Sequence, residues 1–132
     1  QSLISGAADP VEHYQLQELE VLSKSGTTPH AQLQLQIDGE TSLCSAEGSG
    51  PVDAIFKAIE SVADSKTDLK LYSVNAVTQG TDSQAGVTVR LEREGRLVNG
   101  VGADTDVLVA SAKAYLDALN LLASNSSKQQ GV

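Results

Sequence analysis

The sequence predicts an α+β fold of two pseudo-repeated βββα units packed together, on three observations. Leu33, Leu35 and Ile37 alternate strictly with Gln32, Gln34 and Gln36, the two-residue period of a half-buried strand. Val52, Ile55, Phe56, Ile59 and Val62 recur at the spacing of one helix face. Both patterns then return: a constant shift of 54 carries Leu33, Leu35 and Ile37 onto Val87, Val89 and Leu91, and Leu43 onto Leu97. The same shift carries Gly48 onto Gly102, Ile55 onto Val109, Ala58 onto Ala112, and Gly26-Thr27 onto Gly80-Thr81. The first strands fit it less well than the rest.

In chain order, residues 1–11 read as a linker and 12–66 as the first unit. Within that unit, "HYQLQELEVLS" from His13 is a strand with Leu19 and Val21 on one face, and "KSGTTPH" supplies Gly and Pro for a turn. "AQLQLQID" is the second strand, and a tight turn at Asp38-Gly39 returns the chain along "GETSLCSA". Pro51 then fits the first helical position, where its missing N–H is no loss. The second unit, 67–123, repeats the plan with "LKLYSVNAVT" as strand, "QGTDSQAG" as turn, and "VTVRLE" and "GRLVNGVG" as strands. Its helix is expected from about Asp104 to Ala123, with an apolar stripe of Leu108, Ala112, Tyr115, Leu119 and Leu122. Residues 124–132, polar up to Val132, read as a disordered tail. One three-stranded sheet and one helix cannot cover both faces of the sheet, so each unit is expected to pack on its twin, within the chain or across a dimer.

Composition narrows the function. With 132 residues, 3% aromatics and no Trp, the core must come from Val, Leu, Ile and Ala, helped by Phe56 and three tyrosines. A net charge of −8 with scattered Lys and Arg gives no field to gather phosphates, so nucleic acid is not an expected partner. No stretch reaches the length of a membrane span and no signal-peptide pattern opens the chain, so no membrane is expected and the expected location is the cytoplasm. The single cysteine, Cys44, reads as a small buried strand residue. The chain contains no methionine, even at position 1, and so reads as a piece of a longer polypeptide.

Catalytic constellations are scarce. His13 and His30 have no Cys or acidic neighbour at metal-ligand spacing, so no metal is expected, and no histidine stands near Ser45 or Ser111 to activate them. Two loop-to-helix junctions carry the remaining chemistry: "AEGSGPVDAIFKAI" (Ala46 to Ile59) and "GVGADTDVLVASAKAYLDAL" (Gly100 to Leu119). A helix start presents unpaired N–H groups and partial positive charge, and Gly48 and Gly50 allow close approach of an anion. The same residues also suit plain capping, by Ser49 or Gly50 at the first junction and Asp104 or Thr105 at the second. The residues alone leave both readings open.

Over "SGPVDAIFKAI", "LYSVNAVTQGTDSQAGVTVRLEREGR" and "GVGADTDVLVASAKAYLDALN" the chain closely resembles the carboxy-terminal regulatory domain of 2-isopropylmalate synthase, across roughly residues 12 to 123. The resemblance implies a domain of two βββα units that forms a homodimer and binds L-leucine at the dimer interface as a feedback inhibitor of leucine biosynthesis. It also implies a missing catalytic TIM barrel that condenses acetyl-CoA with 2-oxoisovalerate using a divalent metal. This domain would therefore need no cofactor and catalyse nothing by itself. Carried over residue by residue, it makes Gly48, Gly50, Pro51, Val52 and Asp53 the loop and helix start facing the effector. Tyr72, Val74 and Ala76, with Ala85, Gly102, Ala103 and Asp104, complete the implied pocket. Asp53 or Asp104 would pair with the ligand ammonium. The related regulatory domain of citramalate synthase, which senses isoleucine, and a dimerisation module without effector are the alternative readings.

Overall fold

A computed structural model describes residues 13–79 and 82–131, the side chains of 76–79, 82–83 and 124–131 lying outside that description. The expected linker, 1–11, and the Gly80-Thr81 pair also lie outside it. The first unit is β1 (Tyr14–Leu22), β2 (His30–Ile37), β3 (Glu40–Glu47) and α1 (Pro51–Ala63). The second is β4 (Asp68–Gln79), β5 (Asp82–Arg93), β6 (Arg96–Asp104) and α2 (Val107–Gly131). Each unit forms an antiparallel sheet in sequence order, β1-β2-β3 and β4-β5-β6. The α+β class and the doubled βββα plan are thus as the sequence predicts.

The constant shift of 54 is not the structural correspondence. The β2–β3 turn holds Asp38 and Gly39 at φ 50° and 88°, and the β5–β6 turn holds Glu94 and Gly95 at 53° and 81°, which places equivalent turn residues 56 apart. The helix starts, Pro51 and Val107, are also 56 apart. At the bulges of β1 and β4, between Leu16 and Glu18 and between Leu69 and Leu71, the separation is 53. The second unit therefore has a longer first hairpin, and "QGTDSQAG" is mostly strand: β5 already begins at Asp82. A shift wrong by two residues still preserves every strand face, because two is the side-chain period of a strand. It cannot preserve helix faces.

The helix-facing sides of the central strands make the middle of the core. Ala31, Leu33 and Leu35 on β2 and Val87, Val89 and Leu91 on β5 are at most 1% exposed. Against β2 and β3, α1 buries Ala54, Ile55, Phe56, Ala58 and Ile59. Full burial of each large aliphatic side chain contributes about 1.5–3 kcal/mol. Cys44 is buried opposite Leu33, as expected. The second helix buries a wider face than its sequence stripe, adding Ala110, Ser111, Ala114, Leu116 and Ala118, because it packs on β5 and β6 and also on β1 and α1. Its backbone stays helical through Gly131, past the Ala123 of the sequence reading. Nothing in "SNSSKQQ" carries the proline that would stop a helix, and extending one already nucleated is inexpensive.

The units join through the second helix. Asn120 accepts the Tyr14 N–H through Oδ1 at 2.9 Å and donates Nδ2 to the Tyr14 carbonyl at 3.0 Å, occupying the outer edge of β1. Asp117 accepts the Val101 N–H at 2.9 Å on the edge of β6. One helix thus satisfies polar groups on an edge strand of each sheet, where unpaired backbone would invite strand addition. On the outer faces, the bulge residue Gln17 donates to Gln36 at 3.5 Å, and its counterpart Lys70 pairs with Glu92 at 3.2 Å.

Candidate functional site

The first helix start is open. Gly50 occupies the N-cap in extended backbone, φ −153° and ψ 173°, and offers no side-chain cap. Its carbonyl accepts the Ala54 N–H at 2.9 Å, while Pro51 at the first helical position has no N–H to satisfy. The Val52 and Asp53 N–H groups that follow have no partner within the helix by its geometry. The Asp53 carboxylate turns back, accepting the Ser49 N–H at 2.9 Å and the Ser49 hydroxyl at 3.3 Å, and it pairs with Lys57 at 3.2 Å. Gly48 lets the loop lie on the helix, since a Cβ there would stand 2.5 Å from the Ala54 nitrogen.

The second helix start is closed. Asp104 is not a helical residue but the last of β6, held in the sheet opposite Ala85. The cap is Asp106, whose Oδ1 accepts the Leu108 N–H at 2.8 Å and whose carbonyl accepts the Ala110 N–H at 2.9 Å. Asp104 braces the turn by accepting the Asp106 N–H at 3.0 Å and pairing with Lys113 at 3.1 Å. The expected cap, Asp104 or Thr105, is displaced by one or two residues because ladder pairing keeps Asp104 extended.

Both aspartates are held below the ordinary carboxylate value, Asp53 chiefly by the Ser49 N–H and Asp104 chiefly by the Asp106 N–H. A depressed folded-state pKa adds stability that is present above the unfolded value, here 3.8, and is lost as pH falls through the folded value. Urea midpoints should therefore fall on acidification below about pH 4. Asp53→Asn and Asp104→Asn should each flatten that acid limb, and identical limbs in wild type and variants would show that these bonds are not held in solution.

The remaining expected residues lie in three neighbouring rows of the second sheet. Ala85 pairs with Ala76 and Asp104, Val87 with Val74 and Gly102, and Val89 with Tyr72 and Gly100. Tyr72, Val74, Ala85, Gly102 and Asp104 belong to the helix-facing side. Ala76 shares their row by backbone pairing, its side chain lying outside the described part. Ala103, opposite Gly86, belongs to the other, exposed side and does not join them. Tyr72 sits edge-on to Phe56, ring centroids 6.0 Å apart at 72°, and Phe56 stacks on Tyr115 at 4.4 Å. The Ser111 hydroxyl donates to the Val107 carbonyl at 2.8 Å, so the Tyr72 hydroxyl, 2.7 Å away, donates to Ser111. Tyr72 therefore has an apolar ring to offer a ligand and no free hydroxyl proton. The Phe56–Tyr72 contact links the two groups of expected residues, one helical turn beyond Val52.

Sequence reasoning missed Phe56 and Ser111 as members of this region, and Asp106 as the cap of the second helix. Phe56 is visible in the sequence only as a stripe residue, and Asp106 becomes legible once Asp38-Gly39 is matched to Glu94-Gly95. A groove of about 370 Å³ between β1, β6 and α2 takes in Gly102 together with Tyr14, Leu16, Val101 and Asn120. Among the described residues no His, Cys, Asp and Glu group could hold a metal ion, and no helix is long and apolar enough to cross a membrane.

The family model of the LeuA allosteric (dimerisation) domain matches residues 2–123. The 2-isopropylmalate synthase of Aromatoleum aromaticum is 63% identical over 111 residues, covering 84% of this chain and 22% of that protein. Those of Nitrosospira multiformis and Thiobacillus denitrificans are 58% and 55% identical, over 88% and 97% of this chain and 23% and 25% of theirs. The chain spans about a quarter of the length of these curated relatives. A match over nearly all of the doubled βββα fold, with the junctions and sheet rows described above inside it, means that the chain belongs to the LeuA allosteric (dimerisation) domain family.

Proposed function

We propose that this domain pairs with a second copy of itself and binds L-leucine as the feedback signal of a 2-isopropylmalate synthase, whose catalytic barrel lies elsewhere in the full-length protein. One observation carries the assignment: of the two helix starts, that of α1 has no side-chain cap, whereas Asp106 closes that of α2. The N–H groups of Val52 and Asp53 can receive the leucine carboxylate, assisted by the helix dipole. Asp53, directly beside the open start, and Asp104 are the carboxylates for its ammonium, which would compete there with Lys57 and Lys113. Tyr72, Val74 and Ala85 supply apolar surface for the isobutyl group, and the small side chain of Ala85 leaves it room.

Burying that group is worth about 1.5–3 kcal/mol. Loss of one methylene weakens binding by about 10- to 200-fold, so valine should bind that much more weakly than leucine. Calorimetric titration of the dimer with leucine, isoleucine and valine tests the order. Tighter isoleucine binding would reassign the effector, and a stable dimer giving no heat with any of the three would leave only a dimerisation role.

A further inference from the structure

The segment joining the two units, Asp64 to Thr67, is short and conformationally costly. Asp64 and Lys66 both adopt left-handed backbone, φ 46° and 56°, a region that lysine in particular rarely visits. Between these two exposed residues Ser65 is 7% exposed. Such a conformation persists only where its surroundings enforce it. Arg93 of β5 donates Nη1 to the Ser65 carbonyl at 3.5 Å and the Thr67 hydroxyl lies 3.0 Å from that of Ser65, but the group that ties the connector to both helices is Glu60, in the last turn of α1. Its Oε1 accepts the Ser65 N–H at 2.9 Å, and its Oε2 accepts the Ser65 hydroxyl and, at 2.6 Å, the Tyr115 hydroxyl from α2. Burial raises the Tyr115 pKa far above its usual range, so this phenol stays protonated and remains a donor. The Tyr115 ring lies flat on Phe56 of α1, one turn before Glu60.

We infer that Glu60 is the coupling residue between the two units: it clamps α1 to the connector and to α2, so that movement of α1 moves the second unit with it. The regulatory part of this inference rests on the leucine reading, because the proposed ligand docks at the start of the same helix. Glu60 touches no ligand there. It is a positioning residue, and its removal should separate binding from response.

Tyr115→Phe deletes one hydroxyl while keeping the ring on Phe56. In the full-length synthase that carries this domain, it should leave leucine affinity within about threefold by calorimetry and reduce inhibition at saturating leucine by at least half. Full inhibition in this variant, or an affinity loss large enough to account for the lost inhibition, would overturn the coupling role. Glu60→Ala should speed amide exchange at Ser65 at least tenfold while amides of β2 and β5 keep their wild-type rates; an unchanged Ser65 rate would overturn the clamp. Should Glu60→Ala not fold, Tyr115→Phe decides alone. If wild type takes up no leucine, the proposed function fails, whereas Ser65 exchange still decides whether Glu60 holds the connector.

Discussion

Gly100→Ala is expected to destabilise the domain by about 3 kcal/mol or more, at the upper end for an overpacked site. A Cβ at this position would stand 2.3 Å from the Ala114 carbonyl oxygen and 2.4 Å from the Ala118 nitrogen. These are backbone atoms of α2, which cannot swing aside as a side chain does; the helix must lift off β6. Gly102 meets the same helix one turn earlier, where an added Cβ would stand 2.6 Å from both the Ala110 carbonyl oxygen and the Ala114 nitrogen, so Gly102→Ala should be comparably costly. Lifting the helix would also draw Asn120 from Tyr14 and Asp117 from Val101, exposing an edge of each sheet. Gly50→Ala supplies the contrast, since nothing lies within 4 Å of a Cβ there. Urea unfolding should place Gly50→Ala within about 1 kcal/mol of wild type. Equal midpoints for Gly100→Ala and Gly50→Ala would mean that α2 does not lie on β6 as described.

The closeness of that helix to its sheet shows what the sequence could and could not disclose. Alternation at Leu33, Leu35 and Ile37 and helical spacing from Val52 to Val62 are local consequences of one face meeting a core, and both elements stand where those patterns place them. The shift of 54 errs for the same physical reason that makes the repeat visible: period-two strands match themselves after any even slip. Only the features without that period, the left-handed turn residues Asp38 and Gly39 and the Pro51 helix start, fix the true value. The site was less legible. Ala85, Val87 and Val89 share rows with Asp104, Gly102 and Gly100 through sheet pairing, which glycines and alanines do not announce. That Phe56 reaches Tyr72, or that Glu60 reaches Tyr115, depends on how α1 lies beside the second unit, a packing choice distributed over many small side chains.

Gly50→Val should cost leucine affinity at least 100-fold, about 2.7 kcal/mol, while the domain folds normally. Extended backbone at φ −153° and ψ 173° accepts a β-branched residue without strain, and the space around Gly50 is open. Stability should therefore fall by no more than about 1 kcal/mol, the scale of an exchanged N-cap. The isopropyl group would instead stand in front of the Val52 and Asp53 N–H groups, where the ligand carboxylate is proposed to dock. Hydrogen bonds to a charged group contribute about 1.5–3 kcal/mol each, so displacing two of them accounts for the expected loss. The matching variant at the other helix start is Asp106→Ala. It removes the Leu108 cap at about 1 kcal/mol of stability and should leave leucine affinity within about threefold. Calorimetry on the two variants reads the answer from their order: if Asp106→Ala changes leucine binding more than Gly50→Val does, the carboxylate sits at the second helix start and the open α1 terminus is not the docking point.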